Sequence, residues 1–257
     1  MSSCDAADGV VDGLIQDLRR CKFNPKSLFC SAANTSNCLT KEQVEGLEAV
    51  YGGAHTSDRR IVYSGFTKSD PAQDDGWATW ITGLVPPDAP GTAEPWSDLE
   101  VAPWQFLLQD QILKVFVFSD PSYNSLSFNI NSNDLEKTEM VMNRGGAEGR
   151  NPDLSGFEDR GGKLILYHGW SDPAVSPLET VRYFKAVTQL QGDLNATGQF
   201  ARLFMIPGMQ HCVGRGPGPN VFDPLSPLID WVENGTSPDQ IVAAHYKDND
   251  PSTGVVT

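Results

Sequence analysis

The sequence predicts an α/β fold, and three observations lead there. A chain of 257 residues, 39% hydrophobic and 20% charged, suits one large α/β domain or two smaller ones. From Asp153 onward apolar strands alternate with capped helices, as α/β folds do. Two of those strands end in loops rich in Gly and Pro, the residues that let a backbone turn sharply. Before Gly145-Gly146 the character differs, so the expected organisation is two parts, residues 1–145 and 146–257.

Taken in order, the first 40 residues are acidic and turn-rich. Thr40-Lys41-Glu42-Gln43 forms a capping box ahead of Val44, Leu47 and Val50 at helical spacing, and Gly52-Gly53 stops that helix. From about Ser64 to Arg150 the chain is loop-heavy with weak periodicity, and it holds Trp77, Trp80, Trp96 and Trp104. These rings could line a pocket for an aromatic substrate; core is the expectation for most of them. Lys163-Leu164-Ile165-Leu166-Tyr167-His168 reads as a buried-type strand, followed by the turn Gly169-Trp170-Ser171-Asp172-Pro173. Ser176-Pro177-Leu178-Glu179 opens a helix with an N-cap, Pro at N1 and Glu at N3, which runs to about Gly192. A second strand, Ala201 to Ile206, ends in the loop Pro207-Gly208-Met209-Gln210-His211-Cys212. The next helix starts near Asp223-Pro224, carries Leu225, Leu228, Ile229 and Val232 inward, and closes at Gly235. Ser237-Pro238-Asp239-Gln240 is a further capping box, and the tail from Ser252 is expected to be loose.

A net charge of −14 repels nucleic-acid phosphates and anionic membranes, and no stretch gathers enough Lys or Arg to make a local exception. No run of 18 apolar residues and no basic-then-apolar leader after Met1 is found, so neither a transmembrane helix nor a signal peptide is expected in this chain. Of five cysteines, Cys4, Cys21, Cys30 and Cys38 cluster at the start, and Cys212 stands alone. Clustered cysteines favour disulfides or a metal site. Spacings of 16, 8 and 7 intervening residues lack the close pairs of zinc sites, so two local disulfides and an oxidising compartment are expected. Glycosylation sequons at Asn34, Asn195 and Asn234 agree with that compartment.

Two constellations could carry chemistry. Asp172 and His211 each follow an apolar strand, 39 residues apart, in the acid-then-histidine order of α/β-hydrolase triads. The acid would accept the imidazole Nδ1–H and leave Nε2 to take a proton from a serine. Taken singly, Asp172 could instead shape a turn and His211 could be a satisfied loop histidine. His55, His168 and His245 show no such pairing in sequence. No serine stands in a Gly-x-Ser-x-Gly elbow, and Ser171 lies beside the proposed acid, so the chain shows no nucleophile. The other constellation is the acidic stretch from Cys4 to Leu14. Asp5, Asp8 and Asp12, with the carbonyls of Val10 and Leu14, could supply oxygen ligands to calcium, or the stretch could be a solvated acidic turn. It is not an EF-hand, because Val10 takes the place of an acidic or amide residue and no Glu closes the loop.

These motifs resemble the tannase and feruloyl esterase family of secreted α/β-hydrolases, which cleave phenolic carboxylic esters. The carriers are Cys-Asp-Ala-Ala-Asp-Gly-Val-Val-Asp-Gly (4–13), Cys-Leu-Thr-Lys-Glu-Gln-Val (38–44), Asn-Pro-Asp-Leu-Ser-Gly-Phe (151–157), Gly-Gly-Lys-Leu-Ile-Leu-Tyr-His-Gly-Trp-Ser-Asp-Pro (161–173), Pro-Gly-Met-Gln-His-Cys (207–212) and Gly-Pro-Gly-Pro-Asn (216–220). The resemblance implies that residues 1–145 are most of a loop-rich calcium-binding lid domain and 146–257 the C-terminal part of an α/β-hydrolase fold. It implies Asp172 and His211 as triad acid and base, and a structural calcium on Asp5, Asp8, Asp12 and the Val10 and Leu14 carbonyls. It also implies disulfides Cys4–Cys21 and Cys30–Cys38. Cys212 maps to a cysteine that pairs with one beside the catalytic serine; both are expected in an N-terminal segment or subunit outside this sequence. The expected substrate is a phenolic ester, with the feruloyl branch favoured over tannase. The other reading is a noncatalytic, calcium-stabilised fragment or subunit that completes a partner chain.

Overall fold

The computed structural model describes residues 4–32, 35–69, 72, 75–147, 149–211 and 215–255. The chain divides into two compact units. The first comprises Met1–Gly53, Ser64–Asp70 and Pro152–Thr257; the second comprises Ala54–Tyr63 and Pro71–Asn151. Residues 1–53 therefore group with the C-terminal part, whereas the change in sequence character suggested a single boundary near residue 145.

The first unit is built on a strand–helix–strand crossover. β3 (Leu164–Gly169) and β4 (Ala201–Ile206) pair in parallel, with Leu164 opposite Ala201 and Gly169 opposite Ile206. Parallel strands need a long connection, and here α5 (Pro177–Gln191) and α6 (Leu194–Thr197) provide it. α5 starts as expected: Ser176 Oγ accepts the Leu178 amide, and Pro177 occupies the first turn. The Glu179 carboxylate instead accepts the Ser64 amide at 2.6 Å. α1 (Lys41–Gly52) carries its capping box in full, with Thr40 and Gln43 bonded reciprocally.

Two apolar clusters hold this unit. Cys4, Ile15, Leu18 and Cys21 pack with Trp170 and Val181, against Leu203 and Met205 of β4. Val187 packs with Phe200 and Ala201, against Phe157 of the short helix α4 (Ser155–Glu158), Leu164 and Phe184. The first cluster is the physical reason that residues 4–21 belong with the strands. Both expected disulfides are present, Cys4–Cys21 and Cys30–Cys38.

α7 (Leu225–Asn234) corrects the sequence reading. It buries Trp231, whereas Leu225, Ile229 and Val232, expected to point inward, are exposed. Tyr167 of the supposedly buried strand β3 is likewise exposed. Periodicity fixes which residues share a face but not what covers it, and among the described residues β3 pairs only with β4. The box at Ser237 starts no helix. Ser237 Oγ accepts instead from the Arg202 guanidinium, which also donates to the Pro238 carbonyl and lies over the Trp231 ring. β5 (Val221–Phe222) and β6 (Ala243–Ala244) form a short antiparallel pair.

β1 (Gly53–His55) pairs with β2 (Ile61–Ser64). The second unit contains more helix than its sequence signalled. α2 (Trp104–Gln111) runs directly into a π-type segment, Ile112–Val117, and α3 (Asn133–Arg144) is capped by Ser132. A buried Asp110 is satisfied by the Lys114 ammonium at 2.8 Å and the Ser125 hydroxyl at 2.7 Å. Trp77 is core, as expected, but Trp104 is exposed, tilted against Trp80 at 5.4 Å.

Candidate active site

Adjacent parallel strands deliver their carboxyl ends side by side, which brings the two connecting loops together. The ladder extends past β3 and β4: the Trp170 amide donates to the Ile206 carbonyl, and the Ser171 amide to the Met209 carbonyl. That approach requires glycine at 169, where a Cβ would lie 2.1 Å from the Met209 oxygen. Farther along the second loop the Gln210 amide donates to the Arg215 carbonyl, and Gly216, at φ +96°, lies where a Cβ would strike the Gly208 oxygen.

The turn after β3 thereby presents Asp172, and the loop after β4 presents His211. His211 Nδ1 lies 2.9 Å from Asp172 Oδ2. Asp172 is 5% exposed at its side chain and His211 is 37% exposed. The other carboxylate oxygen, Oδ1, accepts the amides of Ala174 and Val175 at 2.8 and 2.9 Å. Burial pushes the Asp172 carboxyl upward. The hydrogen bonds from His168, the Val175 amide and His211 outweigh that effect and hold it below the ordinary aspartate value. An ionised acid against one nitrogen of an imidazole, with the imidazole half exposed, is the arrangement that can orient a general base.

His168 is the participant the sequence did not reveal. Its Nε2 lies 3.0 Å from Asp172 Oδ2, the same oxygen His211 uses, and its Nδ1 lies 2.7 Å from Thr180 Oγ1 on α5. The expectation that His168 lacks a carboxylate partner is thus overturned: the chain reverses at Gly169–Ser171 and folds Asp172 back onto the strand end. Cys212 lies outside the described residues, as does Asn34 of the first sequon. Asn195 and Asn234 are exposed.

The acidic loop is closed by its own carboxylates. Asp5 Oδ1 accepts the Gly13 amide at 2.9 Å, Asp8 accepts the Val10 and Gln16 amides, and Asp12 accepts the Leu14 amide. The side-chain atoms that a cation would meet here are carboxylate oxygens, which suits a hard cation. Among the described residues, however, no three His, Cys, Asp or Glu side chains gather into a group that could hold a metal ion.

Comparison with known proteins places the chain. A family model described as tannase and feruloyl esterase matches residues 1–256. The chain belongs to the tannase and feruloyl esterase family. An uncharacterised esterase of Xanthomonas campestris is 34% identical over 100% of this chain and 48% of its own length. The mono(2-hydroxyethyl) terephthalate hydrolase of Piscinibacter sakaiensis is 33% identical over 95% of this chain and 43% of its own. The crystal structure of feruloyl esterase B from Aspergillus oryzae superposes with a TM-score of 0.76 at 24% identity, covering 97% of this chain and 48% of that one. The chain thus spans about half the length of the curated relatives it matches. Family membership gives the chain an ester-hydrolase lineage, and the superposition shows that it shares its fold with about half of feruloyl esterase B. No helix among the described residues is long and apolar enough to cross a membrane.

Proposed function

We propose that this chain supplies the acid and the base of a serine-type ester hydrolase acting on esters of phenolic carboxylic acids, the serine coming from sequence outside it. The observation that carries this reading is the contact between the buried, amide-anchored Asp172 and His211 at the ends of two adjacent parallel strands. In the proposed reaction His211 Nε2 takes the serine proton as the serine oxygen bonds to the ester carbonyl. The same proton then leaves with the alcohol as the acyl-enzyme forms. Water, deprotonated by His211, then attacks the acyl carbonyl, and His211 returns that proton to the serine oxygen as the acyl bond breaks and the aromatic acid leaves. Asp172 holds the Nδ1–H tautomer and balances the imidazolium charge throughout. The names of the similar proteins support an aromatic acyl group, since a terephthalate and a feruloyl ester share one. Cys212, next to His211, would pair with a cysteine beside that serine. The two disulfides support an oxidising, extracellular setting.

The test joins this chain to an upstream half from a relative and follows hydrolysis of methyl ferulate. His211→Ala is expected to lower kcat/KM about a thousandfold or more. Activity retained in that variant rejects the assignment. A second reading, a noncatalytic chain that completes a partner, is favoured by one observation, the exposed apolar face of α7. It predicts association with the upstream half and no ester turnover.

A further inference from the structure

Asp172 Oδ1 is fixed by two backbone amides, but Oδ2 faces a loop histidine whose side chain is 37% exposed. With that partner alone, the oxygen and the imidazole could swing together about the anchored Oδ1. The second contact on Oδ2 comes from a stiffer source. His168 is held within β3, opposite Met205 of β4, and its side chain is 12% exposed. An ionised carboxylate only accepts, so His168 Nε2, 3.0 Å away, must carry the hydrogen. In a neutral ring Nδ1 then only accepts, and the Thr180 hydroxyl, 2.7 Å away, donates to it. Thr180, His168, Asp172 and His211 are thus linked by hydrogen bonds from the first turn of α5 to the loop after β4, with the donors converging on Asp172 from both sides.

We propose that His168 is a positioning residue for His211: the Thr180 hydroxyl holds its ring in place by donating to Nδ1, and its Nε2–H holds the Asp172 oxygen on which His211 is aligned. The inference rests on reading Asp172 and His211 as an acid–base pair. The titratable groups facing Asp172 are His168 from β3 and His211 from the loop after β4. The same hydrogen bond draws charge from Oδ2 and favours the ionised acid, so its removal has a titration signature that loss of packing alone lacks.

The experiment uses the isotope-labelled 257-residue chain in NMR, following the Asp172 carboxyl carbon through an acid titration and the imidazole nitrogens of His168 and His211. His168→Phe removes the donor and is expected to raise the Asp172 midpoint by about one pH unit and to mix the His211 tautomers. His168→Gln, whose amide N–H can take the place of Nε2–H, is expected to restore both. Thr180→Val keeps the side-chain shape but leaves Nδ1 without its donor, and is expected to loosen the His168 ring and raise the Asp172 midpoint by less than the Phe variant does, which tests the proposal even if the Phe variant does not fold. An unchanged Asp172 midpoint and unchanged tautomers across the Phe and Val variants overturn it. These readouts need no catalysis. A negative result beside an inactive His211→Ala enzyme rejects only the role of His168, whereas an active His211→Ala enzyme rejects the functional reading itself.

Discussion

Asp172 is buried and yet favoured as a charge, because four donors converge on its two oxygens. A carboxyl whose folded value lies below its unfolded value, about 3.9, stabilises the native state above that pH. The contribution is lost as pH falls through the folded value. Asp172→Asn should therefore melt below the parent chain at pH 6–7, by on the order of 5 °C, and the gap should narrow steadily toward pH 3. Paired thermal melts across that range check it, and a gap independent of pH contradicts it. Asp172 and His211 were legible in the sequence because each stands just past an apolar strand, where parallel sheets collect their functional groups. His168 was not, because its partnership with Asp172 depends on a chain reversal through Gly169–Ser171, and no periodic pattern encodes that. Thr180 was hidden for the same reason: its hydroxyl meets His168 only once α5 has packed back beside β3.

At the scale of elements, α1 and α5 were readable from their side-chain caps, and α2 was not. Thr40 and Ser176 announced α1 and α5. α2 begins after Pro103 with no capping side chain and runs into a π-type segment, so neither a cap nor a steady 3.6-residue period marked it. The box at Ser237 failed in the opposite sense, since Arg202 on β4 recruits Ser237 and Pro238 for itself. The amphipathic pattern of α7 was real, but its covering was not in the pattern. The disulfides differ in the same way between local and tertiary roles. Cys4–Cys21 spans 17 residues and lies in the core with Ile15 and Trp170, whereas Cys30–Cys38 spans 8 and leaves Cys30 exposed. Loop-closure entropy alone assigns about 3 kcal/mol to the first and about 2.5 to the second. The first also fills core volume. Cys4→Ser/Cys21→Ser should thus lower the melting temperature clearly more than Cys30→Ser/Cys38→Ser, and equal losses would show that the buried pair contributes nothing beyond its loop.

For the whole molecule, the acidic loop matters because of what it is tied to. Asp5 and Asp8 reach amides eight residues ahead, at Gly13 and Gln16, and the same segment carries Cys4, Ile15, Leu18 and Cys21 into the cluster around Trp170 and Val181. Trp170 is two residues from Asp172, so the order of the loop and the order of the proposed acid share one piece of core. Three carboxylates on so short a loop repel one another unless amides or a cation balance them, and the amides of residues 10 to 16 already do part of this. The family resemblance implies calcium for the rest, on Asp5, Asp8 and Asp12 with the carbonyls of Val10 and Leu14; the described side chains do not gather into one metal-holding group, so a calcium response is what decides that expectation. A ligand bound only by the native state stabilises it by mass action, about 2.7 kcal/mol at a hundredfold excess over its dissociation constant. Chelation should accordingly lower the melting temperature of the chain by about 5–10 °C, calcium should restore it, and magnesium should restore it poorly because it demands tighter octahedral geometry. Asp8→Asn should reduce the calcium response while leaving the chain folded. If chelation leaves the melting curve of the parent chain unmoved, the loop is closed by its own amides alone and the metal assignment fails, with the Asp172–His211 pair unaffected.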